Sequence, residues 1–125
     1  MILNQVTVGV TDYAASVDFY TRLGLVQIVD SPPLYARFET PSGETFSIHA
    51  ADRVDPTTIV YFEVEDVDAF TAALDLPLVQ PPRNQPWLWR EARLADPSGN
   101  IICLYFAGEN RRFPPWRLAP GPAQG

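Results

Sequence analysis

The sequence predicts an α+β fold built from two tandem modules, each running strand, helix and three strands. Two internal repeats indicate this duplication. The segment VTVGVTDYAA at 6–15 aligns with VYFEVEDVDA at 60–69, and TPSGETFSIHA at 40–50 resembles DPSGNIICLYF at 96–106. Self-similarity at a nearly constant spacing is the signature of a repeated structural unit. The chain is therefore expected to contain two copies of one module.

The extent of the modules follows from these repeats. We expect one module at about 1–52 and the second at about 55–106, together forming a single domain at 1–106. A chain of 125 residues has the usual length of one domain. A second independent domain is therefore not expected.

Each copy opens with a strand and continues into a helix. The opening segments alternate apolar and polar side chains, as a half-buried strand does. Asp12 and Asp66 follow, and a short carboxylate at this position caps a helix by accepting a hydrogen bond from a first-turn amide. Gly24 is expected to end the first helix in the left-handed conformation, and Pro77 to limit the second.

Three further strands are expected after each helix. The candidates are 26–29, 34–39 and 45–49 in the first module and 78–79, 87–94 and 101–106 in the second. In the last strand of each module, Phe46 and Leu104 fall on the helix-covered face, so Ser47 and Cys103 point to the opposite face. Because a helix covers only one face of each sheet, we expect the free faces to form a curved mixed sheet around a shared cavity, with the helices outside.

Composition and charge exclude several function classes. The net charge of −6 argues against a nucleic-acid partner, because the field of the protein repels phosphate. No apolar run approaches the ~18–20 residues that span a bilayer, so no membrane partner is expected. A single cysteine forms no internal disulfide, and the N-terminal residues lack a signal-peptide pattern. We expect a cytoplasmic protein.

The segment 107–125 differs from the rest of the chain because it is rich in proline and arginine. We expect it to be extended and to pack on the domain or on a partner subunit. Phe113 and Trp116 are the expected anchors, with a frayed end beyond Pro120.

The duplicated unit, together with SVDFYTRLGL, VEDVDAF and above all DPSGNIICLYF, resembles the vicinal oxygen chelate superfamily. This superfamily includes glyoxalase I, bleomycin-resistance proteins, fosfomycin-resistance enzymes and extradiol dioxygenases. The resemblance runs from about Leu3 to Phe106 and implies the tandem βαβββ fold. It implies no single reaction, because the superfamily contains lyases, oxygenases, transferases and binding proteins.

The resemblance also implies where a metal would bind. In metal-dependent members the ligands come from the first strand of each module and from the strand after each Asp-Pro-x-Gly-Asn-like turn. In this sequence those positions hold Gln5, Ser47, Ile59 and Cys103. Gln5 alone matches a ligand type of the family, whereas a catalytic metal needs about three firm ligands. We therefore expect no cofactor; the alternative is a divalent metal for which His49 and Glu63 serve as displaced ligands.

A ligand-binding surface is better supported by the residues. The expected cavity residues are Gln5, Thr7, Ser47, His49, Tyr61, Glu63, Trp87, Trp89, Arg93, Cys103 and Tyr105. Aromatic walls with a few polar groups suit a flat or aromatic organic molecule. The alternative is that Trp87 and Trp89 close the core or a dimer interface.

The functional prediction is a glyoxalase/bleomycin-resistance-like protein with a degenerate metal site that binds a small organic molecule and forms a homodimer. One alternative is an enzyme, either a metal-dependent lyase or dioxygenase, or a metal-free isomerase or lyase in which Glu63 and His49 provide acid/base catalysis. A salt bridge from Glu63 to Arg93 or Arg37 is the simpler interpretation of that carboxylate. A third possibility is a structural module whose cavity is filled by its own side chains.

Overall fold

The computed structural model describes residues 1–119 and shows two modules with the same order of elements. The first contains β1 (Gln5–Val10), α1 (Tyr13–Leu23), β2 (Val26–Ser31), β3 (Tyr35–Glu39) and β4 (Thr45–Ala50). The second contains β5 (Ile59–Glu63), α2 (Val67–Ala73), β6 (Gln80–Asn84), β7 (Arg90–Ala95) and β8 (Ile101–Phe106), followed by a 3₁₀ helix at Gly108–Arg111. The predicted α+β fold of two tandem βαβββ modules is confirmed. The predicted fraying beyond Pro120 lies outside the described residues.

Each module forms a four-stranded mixed sheet, with strand orders β1-β4-β3-β2 and β5-β8-β7-β6. The first strand of each module pairs in parallel with its last strand, and the other pairings are antiparallel. The two sheets are not joined by strand pairing and do not close into a barrel. β1 and β5 are therefore edge strands of separate sheets.

The two helices begin with the predicted aspartate caps. Asp12 Oδ1 accepts a hydrogen bond from Ala15 N at 3.0 Å, and Asp66 Oδ1 accepts one from Ala69 N at 3.0 Å. Gly24 ends α1 at φ 115°, in the left-handed region that a residue without a Cβ adopts at low cost. Within residues 1–119, no helix is long and apolar enough to cross a membrane.

The repeated Pro-Ser-Gly turns have the same backbone geometry. Gly43 and Gly99 both have φ 95°. The amide of Gly43 donates to Thr40 O at 2.9 Å, and that of Gly99 donates to Asp96 O at 3.0 Å. The sequence repeat at these turns is therefore a structural repeat.

The helix-covered faces of both sheets contribute to one core. Phe46 of the first module and Phe62 of the second lie with their ring centroids 5.8 Å apart. The buried apolar members of this core are Val8, Val10, Phe19, Tyr20, Leu23, Leu25, Ala36, Phe38, Phe46, Ile48, Leu94, Ile102 and Leu104. The two modules therefore share their apolar burial, the main favourable term in folding.

Two strand boundaries in the second module differ from the prediction. The strand expected at 78–79 lies instead at Gln80–Asn84, in the segment QPPRN. The two prolines in this segment argued against a strand, because proline lacks a backbone N–H and is confined to edge strands and bulges. β6 is such an edge strand, and its pairing with β7 shifts register between Gln80 and Arg83.

The strand predicted at 87–94 begins three residues later, at Arg90. The preceding residues form the hairpin turn, in which Gln85 N donates to Trp89 O at 2.7 Å. Leu88 has φ 67° and is the one non-glycine residue among 1–119 with positive φ. A bulky residue rarely adopts this conformation, so alternation alone did not indicate a turn here.

A buried hydrogen-bond network joins the two modules. Tyr20 of α1 donates to Asp96 Oδ2 at 2.6 Å, and the Asn100 side chain donates to the same oxygen at 2.8 Å. Asn100 also donates to Gly9 O of β1 at 2.9 Å. Burial first, and the nearby Asp96 second, raise the pKa of the Tyr20 phenol well above its ordinary value. The hydroxyl therefore remains a donor to Asp96.

The network predicts the effect of removing one hydroxyl. Tyr20→Phe leaves a buried carboxyl oxygen with one donor fewer, so we expect the free energy of unfolding to fall by about 1–3 kcal/mol. Urea denaturation followed by tryptophan fluorescence measures this change. Tyr13→Phe is the matched control, because its hydroxyl bonds the exposed Asp30, and we expect a loss within about 0.5 kcal/mol. Equal losses in the two variants would contradict the role of the network.

Candidate functional site

The free face of the first sheet carries a hydrogen-bonded polar cluster, defined by Gln5, Thr7, Tyr35, Arg37 and Ser47. Gln5 Nε2 donates to Ser47 Oγ at 2.9 Å and to Tyr35 OH at 3.2 Å. Thr7 and Ser47 share a hydrogen bond of 2.5 Å, and Arg37 Nε donates to Tyr35 OH at 2.9 Å. Burial raises the pKa of Tyr35, but hydrogen bonds from Arg37, Ser47 and Gln5 outweigh it and lower that pKa.

His49 lies apart from the hydrogen bonds of this polar cluster. It is exposed at the end of β4, and its Nδ1 lies 3.0 Å from the carbonyl oxygen of Ala50. It pairs in register with Tyr35 across β3 and β4. Its ring is therefore accessible, with a backbone carbonyl as its hydrogen-bond partner.

The free face of the second sheet carries an aromatic cluster, defined by Tyr61, Trp89 and Tyr105. Trp89 and Tyr105 are stacked with centroids 4.4 Å apart and an interplanar angle of 15°. Tyr61 meets Trp89 at 6.0 Å and Tyr105 at 5.8 Å, edge to face in both cases. Stacked and edge-to-face rings form a rigid apolar surface.

Glu63 holds the segment that follows β8. Its Oε2 accepts hydrogen bonds from the backbone amides of Ala107 at 2.8 Å and Gly108 at 2.9 Å. Arg111 Nε lies 3.8 Å from its Oε1. One oxygen of the predicted catalytic base is therefore engaged by two backbone donors.

Glu63 pairs with an arginine, as predicted, but the partner is Arg111 and not Arg93 or Arg37, which have other partners. Arg93 Nη2 lies 3.5 Å from Glu91 Oε1, and Arg37 bonds Tyr35 in the first module. Each of these arginines therefore has a partner within its own sheet. Arg111 of the C-terminal segment is the cation near Glu63.

A buried carboxyl cluster adjoins the aromatic cluster and consists of Trp87, Glu91, Arg93 and Cys103. Glu91 is fully buried, and its Oε2 accepts a hydrogen bond from Trp87 Nε1 at 2.6 Å. Burial first, and the charge of Glu91 second, raise the pKa of the Cys103 thiol to about 12. Our sequence prediction of the cavity omitted Glu91, although its spacing from Trp89 and Arg93 already placed it on their strand face.

The four metal positions implied by the resemblance lie in different surroundings. Gln5 and Ser47 are bonded to each other in the polar cluster. Ile59 is partly exposed on the edge strand β5, and Cys103 is fully buried on β8, opposite Arg93 of β7. Within residues 1–119, no group of three or more His, Cys, Asp or Glu side chains is placed to hold a metal ion.

An apolar groove runs between the two modules along the edge strands β1 and β5. Of the predicted cavity residues, all of which lie in the described part of the chain, Gln5, Tyr61 and Glu63 line this groove. None of the hydrogen bonds found among residues 1–119 links the polar cluster to the aromatic cluster. Within one chain, the predicted cavity residues therefore form separate groups rather than a single ring of contacts.

The geometry now allows comparison with known proteins. A family model described as the Glyoxalase/Bleomycin resistance protein/Dioxygenase superfamily matches residues 2–104. The chain belongs to this superfamily. A comparison with curated proteins finds no match.

Several solved structures are similar to the chain. A member from Nocardioides is 22% identical with a TM-score of 0.72, covering 95% of this chain and 90% of its own. A bleomycin-binding protein in complex with bleomycin is 17% identical with a TM-score of 0.67, over 85% of this chain and 98% of its own. A protein of unknown function from Agrobacterium tumefaciens str. C58 is 28% identical with a TM-score of 0.69, over 85% and 94%.

The raised pKa of Cys103 predicts that the thiol stays protonated in the folded protein until about pH 12. Its contribution to stability is full below pH 9, where the unfolded thiol is also protonated, and is lost as the pH rises from 9 to 12. Thiolate absorbance at 240 nm, taken as the difference between wild type and Cys103→Ala, measures the ionisation. The same titration in urea should show a midpoint near 9. A midpoint near 9 in the folded protein would contradict the environment described.

Proposed function

We propose that this superfamily member binds a small, flat organic molecule and does not use a catalytic metal. The absence of a catalytic metal is supported by the chemistry of the residues at the four metal positions. Ile59 has no donor atom in its side chain, and Cys103 is fully buried, with Glu91 and Arg93 as its charged neighbours. Gln5 and Ser47 are neutral groups bonded to each other. These residues do not fit a divalent catalytic ion, which needs about three firm ligands.

The aromatic cluster supports binding of a flat molecule. Tyr61 is 45% exposed, so its ring is available on the free face of the second sheet. The stacked pair of Trp89 and Tyr105 stands beside it. Ligand sites are commonly apolar or aromatic surfaces with a few polar groups that set orientation. The similarity to a bleomycin-binding protein agrees with this proposal, although at 17% identity it carries the fold alone.

The geometry favours binding over acid/base catalysis by Glu63 and His49. Glu63 Oε2 already accepts two backbone hydrogen bonds. His49 lies on β4 of the first sheet, whereas Glu63 lies on β5 of the second. A proton-transfer pair must meet the same substrate within hydrogen-bond reach. No contact among the described residues brings these two side chains together.

The same proposal includes a cytoplasmic homodimer. The only cysteine is a buried free thiol, which agrees with a reducing compartment. Phe113 and Trp116 are more than half exposed in the single chain, although they are the large apolar residues of the C-terminal segment. A partner subunit that covers them would bury this apolar area. Sedimentation velocity tests the dimer, and a monomer at tens of micromolar protein would contradict it.

Binding can be tested at the aromatic cluster. A planar aromatic fragment set, screened by thermal shift, should contain compounds that stabilise the wild type. Trp89→Leu should weaken the binding of these compounds by about tenfold or more, because stacking of a planar ring on an aromatic side chain is worth about 1–3 kcal/mol. Val26→Ala is the control, since Val26 is an exposed residue of β2 in the first sheet and its substitution should leave affinity unchanged. A screen without stabilising compounds would favour the alternative of a structural module.

Elemental analysis tests the absence of a catalytic metal. Protein purified without chelator should contain Mn, Fe, Ni and Zn far below one equivalent, because the donor set is too poor to retain them. Gln5→Ala should not change the metal content, and neither should Gln27→Ala on β2. Near-stoichiometric metal that is lost in Gln5→Ala and kept in Gln27→Ala would overturn the proposal.

A further inference from the structure

We infer that Glu91 and Arg93 form the polar end of a ligand site on the free face of the second sheet. They would recognise a planar molecule through an amide-like edge, in which one N–H donor lies beside one acceptor. The aromatic cluster would hold the ring that carries this edge. This inference rests on the proposed function and names the chemical class of its ligand.

The first observation concerns two unpaired polar atoms. Glu91 is fully buried, yet its Oε1 has no hydrogen-bond partner among the described residues. Arg93 Nη2 lies 3.5 Å from that oxygen, beyond the usual 2.7–3.2 Å of an N–H to oxygen bond. The Nε of Arg93 is also buried without a partner. One acceptor and one donor on neighbouring side chains therefore lack a hydrogen bond of usual length, although the Cys103 thiol lies close to both side chains.

Such atoms are costly to leave unpaired. A buried donor or acceptor without a partner costs about 1–3 kcal/mol, and most buried polar atoms in proteins are paired. A ligand with a matching donor and acceptor would satisfy both atoms at once. An acceptor-only ligand would meet repulsion from the Glu91 carboxyl, and a donor-only cation would meet the Arg93 guanidinium. The pair therefore favours an edge with both functions.

The second observation is the position of this pair beside the aromatic cluster. In the register of β7 and β8, Glu91 lies opposite Tyr105, and Arg93 lies opposite Cys103. Trp89 precedes Glu91 by two residues on the same face and stacks on Tyr105. Tyr105 itself is buried, so a ligand ring would contact Tyr61 or Trp89, and a ring on Trp89 would bring its edge towards Glu91.

Trp87 controls access to the carboxyl group. Its indole N–H donates to Glu91 Oε2 at 2.6 Å, while its side chain is 42% exposed. It lies in the turn between β6 and β7, next to Leu88 with its positive φ. Because the free atoms of Glu91 and Arg93 are buried, we expect the ligand to displace the Trp87 ring as it enters.

Three matched probes test the chemical class: naphthalene-2-carboxamide, naphthalene-2-carboxylate and naphthalene-2-carboxamidine. They share one fused ring system without a heteroatom, and their substituents offer a donor with an acceptor, acceptors alone, or donors alone. Titration calorimetry on the wild type should show the carboxamide binding about tenfold or more tightly than the other two. Its addition should also move the indole N–H resonance of Trp87, assigned with Trp87→Phe.

Variants of the pair sharpen the test. Glu91→Gln presents an N–H where the carboxyl presented an acceptor, so preference should shift from the carboxamide towards the carboxylate. Arg93→Met removes the donor, so preference over the carboxamidine should be lost. Glu44→Gln, in the exposed turn of the first module, should keep the wild-type order. Circular dichroism confirms that each variant is folded, and the two independent substitutions keep the test decisive if one of them unfolds.

The outcomes separate this inference from the proposed function. Equal affinity for the three probes, with binding still lost in Trp89→Leu, would overturn the role of Glu91 and Arg93 and leave aromatic binding intact. No detectable binding of any probe at millimolar concentration would overturn both. A carboxamide preference that persists unchanged in Glu91→Gln and Arg93→Met would also overturn the assignment of the two residues.

Discussion

The Asp96 carboxyl group is the interaction on which the arrangement of the two modules depends. Its Oδ1 accepts hydrogen bonds from the amides of Ser98 and Asn100 and so closes its own turn. Its Oδ2 accepts the hydroxyl of Tyr20 from the other module. Because one buried group serves both purposes, the local turn and the packing of the modules form together. Removing the Tyr20 hydroxyl takes one of two donors from a buried carboxyl oxygen, and the loss of a partner at a buried polar group lowers the free energy of unfolding.

This docking decides which surfaces are left for function. The helix-covered faces of both sheets form the shared core, so the polar and aromatic side chains lie on the free face of each sheet. The first face holds a neutral network around Ser47, and the second holds stacked rings beside the buried Glu91. The Glu63 carboxyl group accepts hydrogen bonds from two backbone amides of the segment after β8. The second face therefore combines apolar area with unpaired polar atoms, which is the composition of a ligand site.

Much of the fold could be predicted because it depends on contacts close in sequence. The aspartate caps, the Gly24 terminus and the repeated turns each involve atoms within a few residues. The strand faces followed from alternation, which is a property of the extended chain itself. The errors arose where the chain departs from these patterns. The prolines in QPPRN masked an edge strand, and Leu88 adopts a left-handed turn that its side chain does not favour.

By itself the sequence determined the duplicated βαβββ architecture, the face assignment of the last strand in each module, and the residue types at the four metal positions. Only the tertiary structure decided that Glu63 meets Arg111 and the amides of the C-terminal segment. It also decided that Cys103 is buried deeply enough to raise its pKa to about 12. The reason is physical. Period and capping depend on neighbours along the chain, whereas ion pairs and desolvation depend on groups brought together from distant segments, for which the sequence offers several partners of equal chemistry.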